Sequence, residues 1–451
     1  MRKKNNPTTR RDFMKKTALG AAAITLGGTA FPAASYRRIM GANDRIIVAL
    51  VGMGRRFPGY LDPMVEYKDG VTVKYLADVM RSRREKGALR FREKVGYDPM
   101  LLNDFRKALD DKEVDALFFA IPDHWHGPAT WMALEAGKHV YVEKPLTHNP
   151  REGELLLQYL RRYPRVVQMG NQQRSSPETR QIIDEIHRGI IGKPYLAVAF
   201  YTNARGRVKN PVPADPPDGL DWELFQGPAP HDRYVDNVFD YNWHWYGWKF
   251  GTAETGNNAT HELDIARWAL RVDYPVEAEV VAGKYHFVDD GWTMYDTMDA
   301  TFRFSNGTTI KWDGKSRNGY PTYGSGRGTI IYGSEGTVYV DRGGYRLYDR
   351  KGKLIRDSKS AYKETGTALG GGGDLTTLHV GNFFDAIRGK AQLHSPIREG
   401  AKSTLLCHLA NIAYRTGQRL EIDPADGHIR NAEAMKLWGR EYEPGWEPRI
   451  S

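Results

Sequence analysis

The 451-residue sequence has a single cysteine, Cys407. One thiol excludes an intrachain disulfide, a cysteine-based zinc site and a dithiol relay. Cys407 lies in the apolar, helically spaced run 403–409, so a buried structural role is expected. Long apolar runs are also missing. Beyond residue 35 nothing approaches the roughly 18 consecutive apolar residues of a membrane helix, so no membrane contact is expected of the mature chain. Clustered metal ligands are absent too. His124 and His126 alternate on one short segment, His261 is remote and no H-E-x-x-H occurs, so no metal is expected. No internal repeat is evident. Positive charge is in formal excess, at +10, but the first 35 residues carry seven Lys or Arg against Asp12. They account for +6, and the remaining +4 does not signal a nucleic-acid partner. A hydrophobic content of 40% with 27% charged residues suits two cored globular domains.

The basic N-terminus has a pattern. Arg10-Arg11-Asp12-Phe13-Met14-Lys15 is followed by a weakly apolar, Ala- and Gly-rich run from Thr17 to about Ala34. This resembles a twin-arginine (Tat) export signal, with cleavage expected near Ala33 to Ser35. A basic arm before a membrane anchor fits less well, because Gly20, Gly27, Gly28 and Pro32 interrupt the run. The resemblance implies the Tat machinery as a partner and the periplasm or cell exterior as the destination. The Tat route carries folded proteins, so a dinucleotide enzyme using it would need to hold its cofactor tightly before export.

Residues 42–166 read as a dinucleotide-binding domain. Ile46-Ile47-Val48-Ala49-Leu50-Val51 is a continuous β-branched and aliphatic run, as in a parallel strand buried on both faces. It enters Gly52-Met53-Gly54, where glycines permit a tight turn and bring backbone N–H groups to a diphosphate, with Arg55 and Arg56 next in line. Phe57 occupies the third place of the G-x-G-x-x-G fingerprint. A second strand, 71–78, ends at Asp78, which suits an acid on the adenosine ribose and favours NAD over NADP. Arg81, Arg83 and Arg84 keep a 2′-phosphate in play. A strand over 114–121 runs to Pro122 and His126, a helix follows and stops at Gly137, and the strand 139–143 ends in Glu143-Lys144-Pro145. Strands alternating with helices specify a doubly wound sheet with ligands at the carboxyl ends of its strands.

Pro122-x-x-x-His126, Ala136-Gly137-Lys138-His139-Val140 and Glu143-Lys144-Pro145 together resemble the glucose-fructose oxidoreductase / inositol dehydrogenase (Gfo/Idh/MocA) family, from about residue 44 to the C-terminus. The resemblance implies an α/β fold. An N-terminal Rossmann domain is followed, over 167–451, by an α+β domain with a large open, mainly antiparallel sheet that floors the active site. It implies hydride transfer between NAD(P) and a sugar or polyol carbon, in a homodimer or homotetramer built through that sheet. Exported members hold their cofactor tightly. Lys144 is implied beside the nicotinamide and the reacting hydroxyl, where an ammonium stabilises developing negative charge.

In the second domain the run from Gly256 to Trp268 matches the family pattern and becomes helical from Thr260, which puts His261 in the catalytic histidine place as proton acceptor or donor. Asn257 stands where dehydrogenases of the family carry the Asp paired with this histidine. Asp264, on the same helical face as His261, is the candidate for the missing charge, with a packing or salt-bridge role as the alternative. Gln172 and Arg174, after the strand 166–168, are the candidate contacts to nicotinamide ribose and substrate, against a plain connecting loop. Between Tyr201 and Trp248 six prolines and many aromatics read as irregular. There Trp243, Trp245 and Tyr246 are either sugar-stacking walls or core. Short alternating segments from Glu277 to Arg350 read as an antiparallel meander with one wet face. Gly370 to Gly373 read as a loop, and amphipathic helices near 375–387 and 397–414 close the chain. Two other functions stay open. One is glycoside cleavage by transient oxidation and elimination, against which Lys144 argues. The other is an idle sugar-binding or regulatory role.

Overall fold

The computed structural model describes residues 45–359 and 374–450. The twin-arginine segment and the run Gly370 to Gly373 lie outside the described residues.

Six strands, β1 (Ile46–Val51), β2 (Val71–Ala77), β3 (Met100–Leu102), β4 (Ala116–Phe119), β5 (His139–Val142) and β6 (Val167–Met169), form one wholly parallel sheet in the order β3-β2-β1-β4-β5-β6. Its apolar runs are continuous because each central strand serves two cores at once. Ala49 and Val51 of β1 join Leu117, Phe119, Val140 and Val142 on one face. Ile46, Val48 and Leu50 join Ala116, Phe118 and Tyr141 on the other. The edge strand β3 is not visible in the residue pattern, since it is three residues long and leaves Met100 and Leu101 exposed.

The second sheet has ten strands: β7 (Pro194–Ala204), β8 (Glu277–Gly283), β9 (Thr297–Arg303), β10 (Thr309–Lys315), β11 (Arg317–Asn318), β12 (Arg327–Gly333), β13 (Gly336–Asp341), β14 (Gly344–Asp349), β15 (Leu354–Lys359) and β16 (Leu420–Glu421). The order is β15-β14-β13-β12-β7-β10-β9-β8-β16, with β11 paired to the end of β7. Every pairing is antiparallel except β7 with β10. In β9, Met298, Ala300 and Phe302 are buried while Asp299 and Arg303 face outward, the half-wet alternation expected of the meander. The central strand β7 lies outside the predicted meander; six consecutive residues of it are buried, so it shows an unbroken apolar run and no period of two.

The helix Ile397–Thr416 is not amphipathic. Ile397 joins the core of the parallel sheet, while Leu405, Leu406 and Leu409 join the core of the second sheet. The helix Asp374–Ile387 sends Val380, Phe383 and Phe384 back under the parallel sheet. The described residues from Ile46 onward therefore make one compact unit. Among the described residues no helix is long and apolar enough to cross a membrane.

A buried ion pair ties these layers. Arg174, just after β6, makes a two-pronged contact with Asp264 at 2.6 and 2.9 Å, and Ser403 Oγ donates to the same carboxylate at 2.6 Å. Burial alone would raise the Asp264 carboxyl; Arg174, with Arg267 and Ser403, outweighs it and holds the carboxyl below its ordinary value. In the middle of the parallel sheet, just after β1, Gly52 adopts φ +93°, and a Cβ there would stand 2.3 Å from the carbonyl oxygen of Ala120. Substitution should expose both constraints. Gly52→Ala loses at least about 2 kcal/mol of stability in denaturant unfolding, whereas Gly54→Ala, whose added carbon meets only Arg83 Nη1 at 3.5 Å, changes it little. Arg174→Ala loses about 3–5 kcal/mol, because it strands a buried carboxylate; near-wild-type unfolding would remove the pair from the architecture.

Candidate active site

The strand ends meet in one crevice. Gly52 and Gly54 follow β1, Asp78 follows β2, Pro122 follows β4, and Glu143 and Lys144 follow β5. All line a cavity of about 380 Å³ that Asn257 and His261 reach from the second sheet's side. Phe57 does not enter it: the chain folds into a tight 3-10 turn over Phe57–Tyr60, and Phe57 is buried in the core with Tyr60 and Leu61.

At the glycine end, Asp78 Oδ2 accepts from Met53 N–H at 2.7 Å and Oδ1 from Met80 N–H at 2.8 Å. The carboxylate therefore holds the turn while remaining at the cavity wall. Burial pushes its pKa up, opposed by Arg83 and by these two amides. Met53 contributes its backbone only, since its side chain is buried against Gly87, where a Cβ would lie 3.0 Å from the Met53 sulfur. Among the described residues neither Gly54 N–H nor Arg55 N–H has a protein acceptor, and both residues line the cavity. The nearby arginines are engaged: Arg55 and Arg83 with Asp240 at 3.3 and 2.9 Å, and Arg84 with Asn103 Oδ1 at 2.7 Å.

In the middle, Glu143 Oε1 accepts from Arg56 Nε at 2.7 Å, Tyr60 OH at 3.0 Å and Gln172 Nε2 at 3.1 Å. Burial would raise this carboxyl, and Arg56, with Lys144 and Tyr60, outweighs burial to hold it below its ordinary value. His126 stands between two carbonyls, Pro145 O at 2.5 Å from Nδ1 and Ile121 O at 2.8 Å from Nε2, between the end of β4 and the turn that carries Lys144.

At the far end Lys144 Nζ donates to Asn257 O at 2.7 Å and lies 3.4 Å from Asn257 Oδ1. Burial lowers the Lys144 pKa, opposed by Asp123 and Glu143. Burial also holds His261 well below the ordinary imidazole value, helped by Arg342, Lys144 and Arg327, so the ring is neutral. No protein group among the described residues hydrogen-bonds that ring.

Four expectations change. Asn257 does not pair with His261, because its side-chain nitrogen is held by Glu254 Oε1 at 2.9 Å and Tyr241 OH at 3.2 Å. Asp264 does not supply His261 with charge, because both of its oxygens serve Arg174 and Ser403. Arg174 is spent on the same pair and does not line the cavity. Trp245 is core, stacked on Trp292 with ring centres 4.0 Å apart. Trp243 does line the cavity, stacked on His244 at 3.5 Å. The structure adds Tyr241, Glu254, Arg205 and Arg327 to the neighbourhood. Tyr241 sits in the aromatic stretch already singled out, and Glu254 lies one helical turn before Asn257. Arg205 and Arg327, at strand ends, carry no local signal in the sequence.

Known proteins bear on this geometry. Residues 46–171 match the family model described as the NAD-binding Rossmann fold of the Gfo/Idh/MocA oxidoreductase family, and residues 197–447 match that family's C-terminal alpha/beta domain. The chain is 29% identical over 153 residues to the scyllo-inositol 2-dehydrogenase (NAD(+)) of Bacillus subtilis, covering 34% of this chain and 43% of that protein. It is 27% identical over 215 residues to a glycosyl hydrolase family 109 protein of Saccharopolyspora erythraea, covering 44% and 46%. The matched stretches thus span less than half of these relatives. Among solved structures, levoglucosan dehydrogenase in complex with NADH and levoglucosan superposes with a TM-score of 0.61 at 18% identity, over 84% of this chain and 99% of the other. The chain belongs to the Gfo/Idh/MocA oxidoreductase family, with an N-terminal NAD-binding Rossmann fold and a C-terminal alpha/beta domain.

Proposed function

We propose that this chain is an exported NAD-dependent oxidoreductase that moves a hydride between the nicotinamide and a hydroxyl-bearing carbon of a sugar or polyol. The observation that carries this reading is the single crevice lined at one end by Gly52 and Gly54 and at the other by Lys144 and His261. The residues fit a dinucleotide. Amides of Gly54 and Arg55, without acceptors among the described residues, suit a diphosphate, and Asp78 suits a ribose diol. Engagement of Arg83 and Arg84 with protein acceptors favours NAD over NADP. When bound, NAD supplies the carbon that accepts or returns hydride.

The chain's own groups do the rest. Lys144 keeps an ammonium beside the reacting oxygen and stabilises the negative charge that develops there. His261, neutral and with its ring unclaimed by any protein group among the described residues, takes the hydroxyl proton in oxidation and returns it in reduction. Trp243 offers a ring face to the C–H surface of a sugar, whereas the Tyr241 ring is covered by Arg55 at 4.3 Å. The twin-arginine N-terminus supports export of the folded protein with its cofactor tightly held, and the wet, open face of the second sheet suits a homodimer or homotetramer. The glycosyl hydrolase relatives favour a second reading, in which the same hydride is removed and returned around an elimination.

Mass spectrometry of natively purified protein tests the binding step: it should release NAD. A sugar and polyol panel followed at the nicotinamide absorbance should then show net reduction of the cofactor. Release of free sugar from an aryl glycoside without net NADH would decide for the glycosyl hydrolase chemistry, and sugar binding with no dinucleotide would refute both. Lys144→Ala abolishes turnover while leaving the dinucleotide bound; wild-type rates would remove Lys144 from the mechanism. The pH profile is equally specific. A pKa for His261 well under 6.5 keeps the ring neutral on approach from high pH, so the acidic limb of kcat/KM falls below pH 6.5. Lys144 is lowered from 10.5, so the alkaline limb, where the ammonium is lost, falls below pH 10.5. An acidic limb above 6.5 would contradict the base assignment.

A further inference from the structure

Glu254 is a buried carboxylate that the proton and hydride chemistry above leaves unused. It lies behind the residues that meet Lys144. Its Oε1 accepts from Asn257 Nδ2 at 2.9 Å, and its Oε2 accepts from Asn258 Nδ2 at 2.9 Å and Ser316 Oγ at 2.8 Å. Arg205 Nη2 stands 3.4 Å from Oε1. Residues three and four apart share a helical face, so one carboxylate just ahead of the wide turn Thr255–Ala259 can collect both asparagine amides.

This geometry decides which way Asn257 points. An ionised carboxylate only accepts, so the end of the amide that meets Glu254 has to be its NH2. The oxygen end is then left for Lys144, 3.4 Å away, alongside the 2.7 Å bond from Lys144 to the Asn257 main-chain oxygen. The same constraint explains why an amide suits position 257. An Asp there would set two carboxylates about 2.9 Å apart, the separation now held by the Asn257–Glu254 bond, and one of them would have to take a proton.

We propose that Glu254 is a positioning residue: it orients Asn257, and through it Lys144, and it provides at one remove the negative charge that an acid at position 257 would provide directly. Asn257 is then the partner that Glu254 requires and not a decayed catalytic acid. The consequence for turnover rests on the oxidoreductase reading; the consequence for Lys144 in the free protein does not.

The test uses the full chain and the variants Glu254→Gln, Asn257→Asp and their combination. The first readout is the Lys144 resonance after reductive methylation with 13C-formaldehyde, identified by its loss in Lys144→Arg and recorded without cofactor. The others are NADH affinity by fluorescence titration and turnover of the panel sugar that the wild type oxidises fastest. Each single substitution should shift the resonance and lower kcat at least about tenfold, the scale of one charge-assisted hydrogen bond, while NADH affinity stays within about threefold. The double variant should return the resonance and kcat most of the way to wild type. There the amide brought in by Glu254→Gln can donate to the carboxylate brought in by Asn257→Asp, and that carboxylate can accept from Lys144. Unchanged single variants, or a double variant no better than the worse single, would overturn the proposal. Should Glu254→Gln fail to fold, Glu254→Asp keeps the charge but draws it back from Asn257, and an unshifted Lys144 resonance there would overturn it equally. Absence of NADH binding in every form would instead refute the oxidoreductase reading and leave the resonance result standing.

Discussion

The crevice depends on how closely the backbone of β1 turns against that of β4. At Gly52 the α-carbon lies so near the carbonyl of Ala120 that no side chain fits, and the positive φ turns the chain across the strand end. Asp78 then takes the Met53 amide, which ties the turn to the end of β2. Three neighbouring strand ends are thus held by one small residue and one carboxylate. The next residues, Gly54 and Arg55, are left with amides that no protein group among the described residues uses.

The opposite wall is set by buried charge. Glu143 with Arg56, Asp264 with Arg174 and Glu254 with Arg205 and two asparagines are all carboxylates taken out of water and compensated by named donors. Such pairs contribute little net stability but cost much when one partner is lost, so they fix geometry. They hold Lys144 and His261 to one cavity although the first follows a strand of the parallel sheet and the second lies on the helix Thr260–Leu270. The helix Ile397–Thr416, which enters both main cores, and the Ser403 hydroxyl on Asp264 make that wall continuous with the parallel sheet.

Much of this was legible in the residues. Periodicity identified β1, β2, β4 and β5 because a parallel strand buried on both faces leaves an unbroken apolar run, and the half-wet meander because its strands alternate. The short edge strand β3 left neither signature, whereas residues 195–201 of β7 carry the same unbroken apolar run as β1. The family pattern located the crevice from both sides, bringing Gly52, Asp78, Lys144 and His261 to one wall-to-wall site. It could not say which polar residues had been claimed by structural pairs. Arg174, Asp264 and Trp245 have the right chemistry in the right stretch, but a partner more than 45 residues away in sequence decides their fate in each case. Asn257 looked like a deficiency for a related reason: its compensating carboxylate, Glu254, is visible only once the turn before the helix is folded.

The central claim is spatial, that one dinucleotide spans from the Gly52 turn to Lys144 and His261. A crystal structure of the protein with NAD bound measures this directly. The account predicts the diphosphate on the Gly54 and Arg55 amides, the ribose on Asp78, and the nicotinamide beside Lys144 with His261 facing the same ring. A diphosphate held elsewhere, or a nicotinamide lodged away from those two side chains, would contradict it.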